Sequence, residues 1–441
     1  MTSFNISSQP SSWQFISRRF LQLILALSLL LTMLMHPAHL MAKEWYTSGH
    51  LKYYLSHTVY DDDNIFSILG EPNATDQNLN LRLIAEKKWQ SKWDAVIHYE
   101  AVGYHSDSLN IGSDLESLSA LSGYTLPNDD RRLFNLTSVI SDSGSNLIQH
   151  RLDRASIGYT SNNFVFRFGR QAISWGNGMV FQPMDIFNPF SPTAIDTEYK
   201  SGDDLLYLQN LLDSGDDIQT VLIPRRDPAT SDLEADESSL AVKYHGRSGD
   251  TDFDILLARH INSDIVGVGF ASDWKGGILR GDLVSERNSV DTVISAVVSY
   301  NYSWIWSNHN MTGFIEYYHN GGGIDDGDYS LQAFAGKPDL IDKLSRGEVF
   351  TFGQDYVDVG LTIELTPRWI FNSLIIHNIN DGSWLTQWTA SFDWKQNLTL
   401  LLGATLPIAD KGTEYGGIPI PLSDVYMGSG RSFFLQLSAY F

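Results

Sequence analysis

Thirteen ionisable residues stand within stretches where apolar and polar side chains alternate: Arg82, Glu86, His98, Glu100, Arg154, Arg167, Lys243, Arg280, Asp282, Glu316, Asp358, Glu364 and Asp393. A period of two belongs to a β-strand, whose successive side chains point to opposite faces. Leu79, Leu81, Leu83 and Ala85 oppose Asn80, Arg82 and Glu86; Val357, Val359, Leu361 and Ile363 oppose Asp358, Thr362 and Glu364. Charges gathered on one face of many strands, with apolar residues on the other, are the pattern of a water-filled barrel in a membrane. Acidic and basic walls around a wet lumen orient a polar solute and set ion preference. The same residues, paired across neighbouring strands, would instead stiffen the wall.

The segment 169–192 is the most distinctive of the chain. Phe181, Met184, Ile186, Phe187 and Phe190 are too apolar for a solvated loop, and Pro183, Pro189 and Pro192 stiffen it. Gly176 and Gly178 allow a sharp turn after the preceding strand. The connection 174–201 is therefore predicted to fold into the lumen and narrow it, with Asp185, Phe187, Asn188 and Asp196 at the constriction.

Eighteen alternating segments separated by turn residues run from Trp45 to Phe441. They predict an all-β fold: a transmembrane, antiparallel, up-and-down β-barrel of about 18 strands with long extracellular loops. The long connections (58–76, 106–146, 174–201, 226–236, 320–353 and 408–429) are all odd-numbered, as expected if the short even-numbered turns face the periplasm. The boundary near 304–308 is the least defined. Trp89, Trp93, Trp304, Trp306, Trp369 and Trp394 fall at strand ends, where an aromatic girdle belongs. The last strand, Arg431 to Phe441, sets Phe433, Leu435, Leu437 and Ala439 against Gln436, Ser438 and Tyr440.

Arg18 and Arg19 precede an uncharged apolar stretch, 20–35, shorter than the ~20 residues a spanning helix needs. Residues 1–42 read as a secretory signal and 43–441 as the barrel. The signal holds two of the 30 basic residues and none of the 52 acidic ones, so the remainder carries 28 − 52 = −24. That balance argues against nucleic-acid binding, which wants basic stripes. The acids cluster in predicted outer loops: Asp61-Asp62-Asp63, Asp129-Asp130, Asp203-Asp204, and Asp325-Asp326 with Asp328. The last group lacks the ligand spacing of an EF-hand, and no metal or other cofactor is expected. With no cysteine in the chain, disulfides and thiolate metal sites are excluded. His98, His245, His260, His309, His319 and His377 stand in no catalytic spacing, so no enzymatic activity is expected.

The strand Phe168-Gly-Arg-Gln-Ala-Ile-Ser-Trp-Gly-Asn-Gly178, preceded by Leu152-Asp-Arg-Ala-Ser-Ile-Gly-Tyr159, resembles the Gly-Arg-Gln strand of the alginate-export-like outer-membrane barrels. The resemblance covers about thirty residues plus the strand count. It implies an eighteen-stranded, monomeric channel in the bacterial outer membrane. A terminal aromatic such as Phe441 is, in outer-membrane barrels, the tag read by the insertion machinery. Family exporters of anionic polysaccharide line the pore with many Arg and Lys, and this chain has few. The expected partners are outer-membrane lipid and lipopolysaccharide, the insertion machinery, and a small hydrophilic solute, either a carbohydrate or an ion. The alternatives are a polysaccharide exporter and a non-conducting surface barrel that binds extracellular polysaccharide.

Overall fold

Aromatic and β-branched residues alternate with polar ones through most of the chain after Trp45, and the backbone follows with strands. The computed structural model describes residues 45–69, 72–109 and 128–441. The predicted signal, 1–42, lies outside the described residues, as does 110–127 of the third connection. The strands are β1 (Tyr46–Val59), β2 (Asn73–Trp89), β3 (Trp93–Ser106), β4 (Thr137–Ser143), β5 (Asn146–Thr160), β6 (Phe164–Gln171) and β7 (Asp203–Leu211). They continue as β8 (Asp217–Arg226), β9 (Leu233–Ser248), β10 (Thr251–His260), β11 (Ser263–Trp274), β12 (Gly277–Arg287), β13 (Thr292–Trp306) and β14 (His309–His319). The rest are β15 (Asp355–Thr366), β16 (Trp369–Asn378), β17 (Trp384–Lys395), β18 (Leu398–Ile408), β19 (Ile418–Pro419), β20 (Tyr426–Met427) and β21 (Arg431–Tyr440). All but β4, β19 and β20 pair antiparallel in chain order, and β21 pairs with both β18 and β1, which closes an eighteen-stranded barrel. Closure removes the free edges of an open sheet.

Three boundaries differ most from the sequence expectation, the first being β2, which begins at Asn73 and shortens the first connection to 60–72. β9 begins at Leu233, so the seventh connection is only 227–232. Its ladder continues past a register shift between Ile223 and Arg225, where Pro224 has no N–H to donate. β13 runs to Trp306 and turns on Ser307-Asn308, both with positive φ (50° and 63°), as a two-residue hairpin turn requires.

The outer face is apolar and open: Leu257, Val266 and Ile315 are each more than half exposed. A belt of that kind matches a hydrocarbon solvent. Trp274, Trp306 and Trp394 are exposed at the rim that carries the short turns, and Trp89 stacks on Trp93 there at 6.3 Å. The lumenal face follows from the register. Glu316 faces Asp358 across β14 and β15, and Leu205, Val221, Ala241 and Leu256 bury their side chains inside.

β6 and β7 stop short, because the chain between them leaves the wall. The gap is filled from the third connection. β4 takes the edge of β5 from Asn146 to Arg151, and Arg132 bridges to Arg225 of β8. The buried Arg170 fastens this patch. Its guanidinium makes a two-pronged bond to Asp204 (2.9 and 3.0 Å), reaches Asp129 at 3.0 Å and donates to the Phe134 carbonyl at 2.7 Å. Burial would raise the Asp129 carboxyl, but the Arg132 hydrogen bond and the Arg170 charge outweigh it and hold it below the ordinary carboxylate value. Gly169 precedes Arg170 with φ +118°, and a Cβ there would sit 2.1 Å from the Ala155 carbonyl oxygen. Hence glycine is required at that point.

Removing Arg170 leaves the buried Asp204 without its cation, although Asp129 keeps Arg132, and breaking such a buried pair costs about 3–5 kcal/mol. Arg170→Met should lower the denaturant midpoint of the detergent-folded barrel and open 128–143 to protease. An unchanged midpoint and unchanged cutting would show that the patch does not depend on this side chain.

Candidate functional site

The connection 172–202 enters the lumen, and its apolar residues are what carry it there. Trp175, Met184 and Phe187 are buried against Leu205, Val221, Ile223, Ala241, Leu256, Ile265 and Val284 of the inner wall. Phe181 packs with Val297, Tyr318, Tyr356 and Ile376 on the other side and stacks on the Tyr318 ring at 4.3 Å. A segment that leaves a β-ladder brings unpaired N–H groups with it, and these need acceptors.

Carboxylates supply the acceptors. Glu316 takes the backbone N–H groups of Met179, Val180 and Phe181 at 2.5, 3.0 and 2.8 Å. Asp282 accepts from the backbone and the side-chain amide of Asn177, both at 2.8 Å. Asp254 accepts from Lys243 at 3.1 Å and from His245 at 3.0 Å. The tight turn works because position 178 is glycine: a Cβ would lie 1.8 Å from the Phe181 carbonyl oxygen. Farther along, Lys200 bonds both oxygens of Asp185 at 2.6 Å and the Ile173 carbonyl at 2.5 Å. Burial pushes the Asp185 carboxyl up to about 6 against the pull of Lys200, and the same burial lowers Lys200. Lys52 of β1 holds Asp196 at 2.6 Å and Glu198 at 2.5 Å. Gln387 of β17 donates to the Thr193 carbonyl at 2.9 Å. The segment is thus tied to strands around the whole ring.

Each residue singled out from sequence has a definite place. Arg82, His98, Glu100, Lys243, Asp282, Glu316 and Asp358 are buried rather than bathed in lumenal water. Arg82 bonds Asp153 at 2.7 Å and Glu100 at 2.9 Å, and lies over the Tyr199 ring at 4.2 Å. Arg154 pairs with Asp153 at 2.9 Å, Arg167 approaches Asp94 at 3.8 Å, and Glu86 approaches His98 at 3.7 Å. Arg280 donates to the Met179 sulfur at 3.0 Å. Asp358 is fully buried, with neither carboxylate oxygen hydrogen-bonded. Glu364 (bonded to Asn310) and Asp393 (bonded to Thr399) are exposed near the short-turn rim. In the inward segment, Phe187 packs edge-on to His260, Asp185 and Asp196 are held by lysines, and Asn188 turns the chain at φ +52°. Neither expectation, a wet lining or charges paired across strands, named Lys52, Arg151, Asp153, Asn177 or Lys200, which hold the charged groups or the loop in place. One signal was legible: Arg151-Leu-Asp153-Arg154 puts three charges in four residues, more than strict alternation allows. The structure has a register shift there, opposite His98 and Tyr99.

Among the described residues, cavities border the inward segment on more than one side. An outer one is lined by Gln182, Phe190, His260, Glu286, Lys343 and Glu348 among others. An inner one of about 490 Å³ lies against β14–β17. Val180, Gln182, Pro189, Phe190 and Pro192 border both, so 180–192 forms a septum between them. A third, of about 290 Å³, lies against β1–β5 and is lined by Lys52, Arg82, Glu100, Arg151 and Asp196.

Above the outer cavity, three long loops share a small apolar core. They carry the short helices α1 (Ile65–Leu69), α2 (Leu331–Ala335) and α3 (Pro338–Arg346). Ile324, Tyr329, Phe334, Leu340, Ile418 and Met427 pack together, with Ile65 and Phe66 against them. Beneath this core Glu414 accepts from Tyr356 at 2.5 Å, Asn378 at 2.6 Å and the Phe352 N–H at 2.9 Å. Burial pushes the Glu414 carboxyl up to about 7, although those hydrogen bonds pull it down. In α3, Lys343 bonds Glu286 of β12 at 2.7 Å. His260 and Arg346 together hold Glu348 below the ordinary carboxylate range despite its burial.

No family model and no curated protein matches the sequence. Solved structures do match. A BenF-like porin from Pseudomonas fluorescens Pf-5 superposes with a TM-score of 0.51 at 9% identity, covering 90% of this chain and 98% of that one. The fold is that of an outer-membrane porin. OccAB4 of Acinetobacter baumannii (TM-score 0.52, 7% identity) and OccK8 (OprE) of Pseudomonas aeruginosa (0.50, 8% identity) cover the same 90% of this chain and 98% of their own. At such identities the likeness is one of fold. The apolar outer belt agrees with this fold, being the surface of a barrel that meets hydrocarbon.

Two outcomes follow from the carboxylate anchors. Each hydrogen bond to a charged group is worth about 1.5–3 kcal/mol, so Glu316→Ala should loosen the septum and leave the closed sheet intact. With no native cysteine, Ser191→Cys reports on it: labelling should quicken by about tenfold or more in the Glu316→Ala background. Unchanged labelling would rule out Glu316 as the anchor. Glu414 has its folded value above the unfolded one, so its contribution is complete below about 4.5 and is lost as pH rises through about 7. Loop 409–430 should therefore resist protease at pH 5 and yield at pH 9, and Glu414→Gln should flatten that difference.

Proposed function

We propose that the protein is a passive outer-membrane channel for small hydrophilic solutes, with 172–202 as its constriction. The observation that supports this best is the septum: a lumenal segment, tied by side chains from around the ring, dividing an outer from an inner cavity. A segment held this way narrows a path without altering the closed sheet that carries it. Asp185, Phe187, Asn188 and Asp196 belong to that constriction. The thirteen ionisable wall residues contribute as a lining in which Arg82, Glu86, His98, Glu100, Arg154, Arg167 and Lys243 lie in ion pairs, and Asp282, Glu316, Glu364 and Asp393 meet neutral donors. Of the basic members, Arg280 is the one that meets a sulfur and not a carboxylate among the described residues.

The passage is weakly cation-preferring, from the acids of the outer mouth. Asp203 and Asp204 are taken up by Arg225 and Arg170, Asp61 by Arg431 and Asp63 by Lys411, which leaves Asp62, Asp325, Asp326 and Asp328 to set the preference. Export of an anionic polysaccharide, the finer implication of the Gly-Arg-Gln resemblance, is disfavoured by a lumen whose Arg82, Arg151 and Arg154 are engaged by Glu100 and Asp153.

A second reading is a non-conducting surface barrel, and the three-loop core over the outer cavity favours it. An enzymatic reading has one geometric attraction. Ser239 Oγ lies 2.8 Å from His260 Nδ1, and His260 Nε2 lies 3.2 Å from Glu348. Yet the Ser239 side chain is buried and does not border the outer cavity, so no substrate carbonyl can reach it. Its role is to orient the imidazole.

Single-channel recording in planar bilayers with asymmetric salt tests the channel. Discrete steps with a cation-favouring reversal potential are expected. Deleting 180–192 should raise the unit conductance while leaving the barrel assembled, and Arg280→Glu should move the reversal potential further toward cations. A folded barrel that never conducts, with or without the deletion, would overturn the proposal in favour of the surface-binding reading.

A further inference from the structure

The inner cavity and the cavity on the β1–β5 wall differ in chemistry. The latter is built from charged groups, Lys52, Arg82, Glu100, Arg151 and Asp196 among them. Among the described residues, those that line the inner cavity carry no charge. Its polar groups are amides and hydroxyls, and Phe190 of the septum and Phe314 of β14 supply aromatic faces. Asp358 and Glu364 flank Thr362 on the same face of β15, but neither borders the cavity. Its volume, about 490 Å³, lies within the roughly 300–1,000 Å³ typical of small-molecule sites.

The polar groups form an ordered track across three strands. Thr362 donates to the Asn372 carbonyl oxygen at 2.8 Å, and the Asn372 amide donates to Thr389 at 3.3 Å. These bonds use one amide hydrogen of Asn372 and leave the second for a solute. Gln387, the diagonal neighbour of Asn372 across β16 and β17, commits its amide nitrogen to the Thr193 carbonyl and to Thr405. Its carbonyl oxygen is the group left to accept. A fixed donor beside a fixed acceptor matches a hydroxyl, which both gives and takes a hydrogen bond. A carboxylate or an ammonium would need a charged counterpart to offset its lost hydration, and the lining offers none.

The geometry points to this cavity as a subsite for an uncharged polyhydroxylated solute, a neutral mono- or oligosaccharide. Asn372 and Gln387 bond its hydroxyls, and Phe190 and Phe314 cover its C–H faces. The assignment rests on the channel reading for its place in a permeation path, but binding itself can be measured without conduction.

Isothermal titration calorimetry of the detergent-folded, full-length protein with maltose, gluconate and glucosamine provides the test. Maltose should give saturable heat, and gluconate and glucosamine should not. The Asn372→Leu/Gln387→Leu double variant should weaken maltose binding by about tenfold or more. Phe190→Ala, which leaves the barrel wall untouched, should weaken it too. Absence of saturable maltose binding, equal binding of the charged analogues, or maltose affinity unchanged in both variants would overturn the subsite. Unit conductance in KCl is recorded on the same preparations. A conducting protein that ignores maltose overturns the subsite and leaves the channel; a silent protein that binds maltose supports the subsite and overturns the channel.

Discussion

A strand that leaves the wall of a closed β-barrel leaves unpaired edges behind it and carries unpaired N–H groups with it. Both debts arise where β6 ends at Gln171 and β7 resumes at Asp203. At the wall, β4 and the stretch before it complete the ladder beside β5 and reach β8, and the buried Arg170 joins them to Asp129 and Asp204. In the lumen, Glu316 and Asp282 accept the freed backbone groups of 177–181. Neither arrangement is optional, since an unpaired backbone group buried away from water costs as much as a lost hydrogen bond.

The inward segment in turn decides what the lumen is. Its apolar side chains need burial, and the inner wall meets them with Leu205, Val221, Ile223 and Leu256 where an open pore would show polar groups. The lumen therefore holds a packed core on one side and separate polar chambers on others. Ionisable groups that alternation turns inward are drawn into two tasks. Some bind the segment, as Glu316, Asp282 and Lys52 do. Others neutralise one another, as in the cluster of Arg82, Glu100, Arg151, Asp153 and Arg154. Buried charges persist only when paired and hydrogen-bonded, and that selects for this mutual arrangement.

The outer mouth follows the same logic on a smaller scale. Loops from three parts of the chain cannot each bury their few apolar residues alone, so they do so together around Tyr329, Phe334 and Leu340. The polar seam between that core and the septum is filled by Glu414, Tyr356 and Asn378 in direct contact. Cover, septum and wall are thus in continuous contact from the rim to the middle of the lumen.

The barrel was legible in the sequence because its signal is local. Side-chain alternation needs only neighbouring residues, and the apolar face of Val357, Val359 and Leu361 or of Phe433, Leu435 and Leu437 announces itself without knowledge of any partner. The inward course of 174–201 was legible for a related reason: Phe181, Met184 and Phe187 stand in a loop where such residues have no other place to go. The partners of the charges were not. Glu316 and Asp358 look equivalent in sequence, each an acid on the inner face of a strand. One is bonded to three N–H groups from a segment some 135 positions away, and the other is buried with no hydrogen bond at all. Arg170 stands three residues from Arg167 and so on the opposite face by alternation, yet it is buried because Asp129 and Phe134, from the stretch before β4, fold over it. Alternation determines which way a side chain points; only the tertiary structure decides what it meets there, because the groups that satisfy a buried charge come from distant parts of the chain.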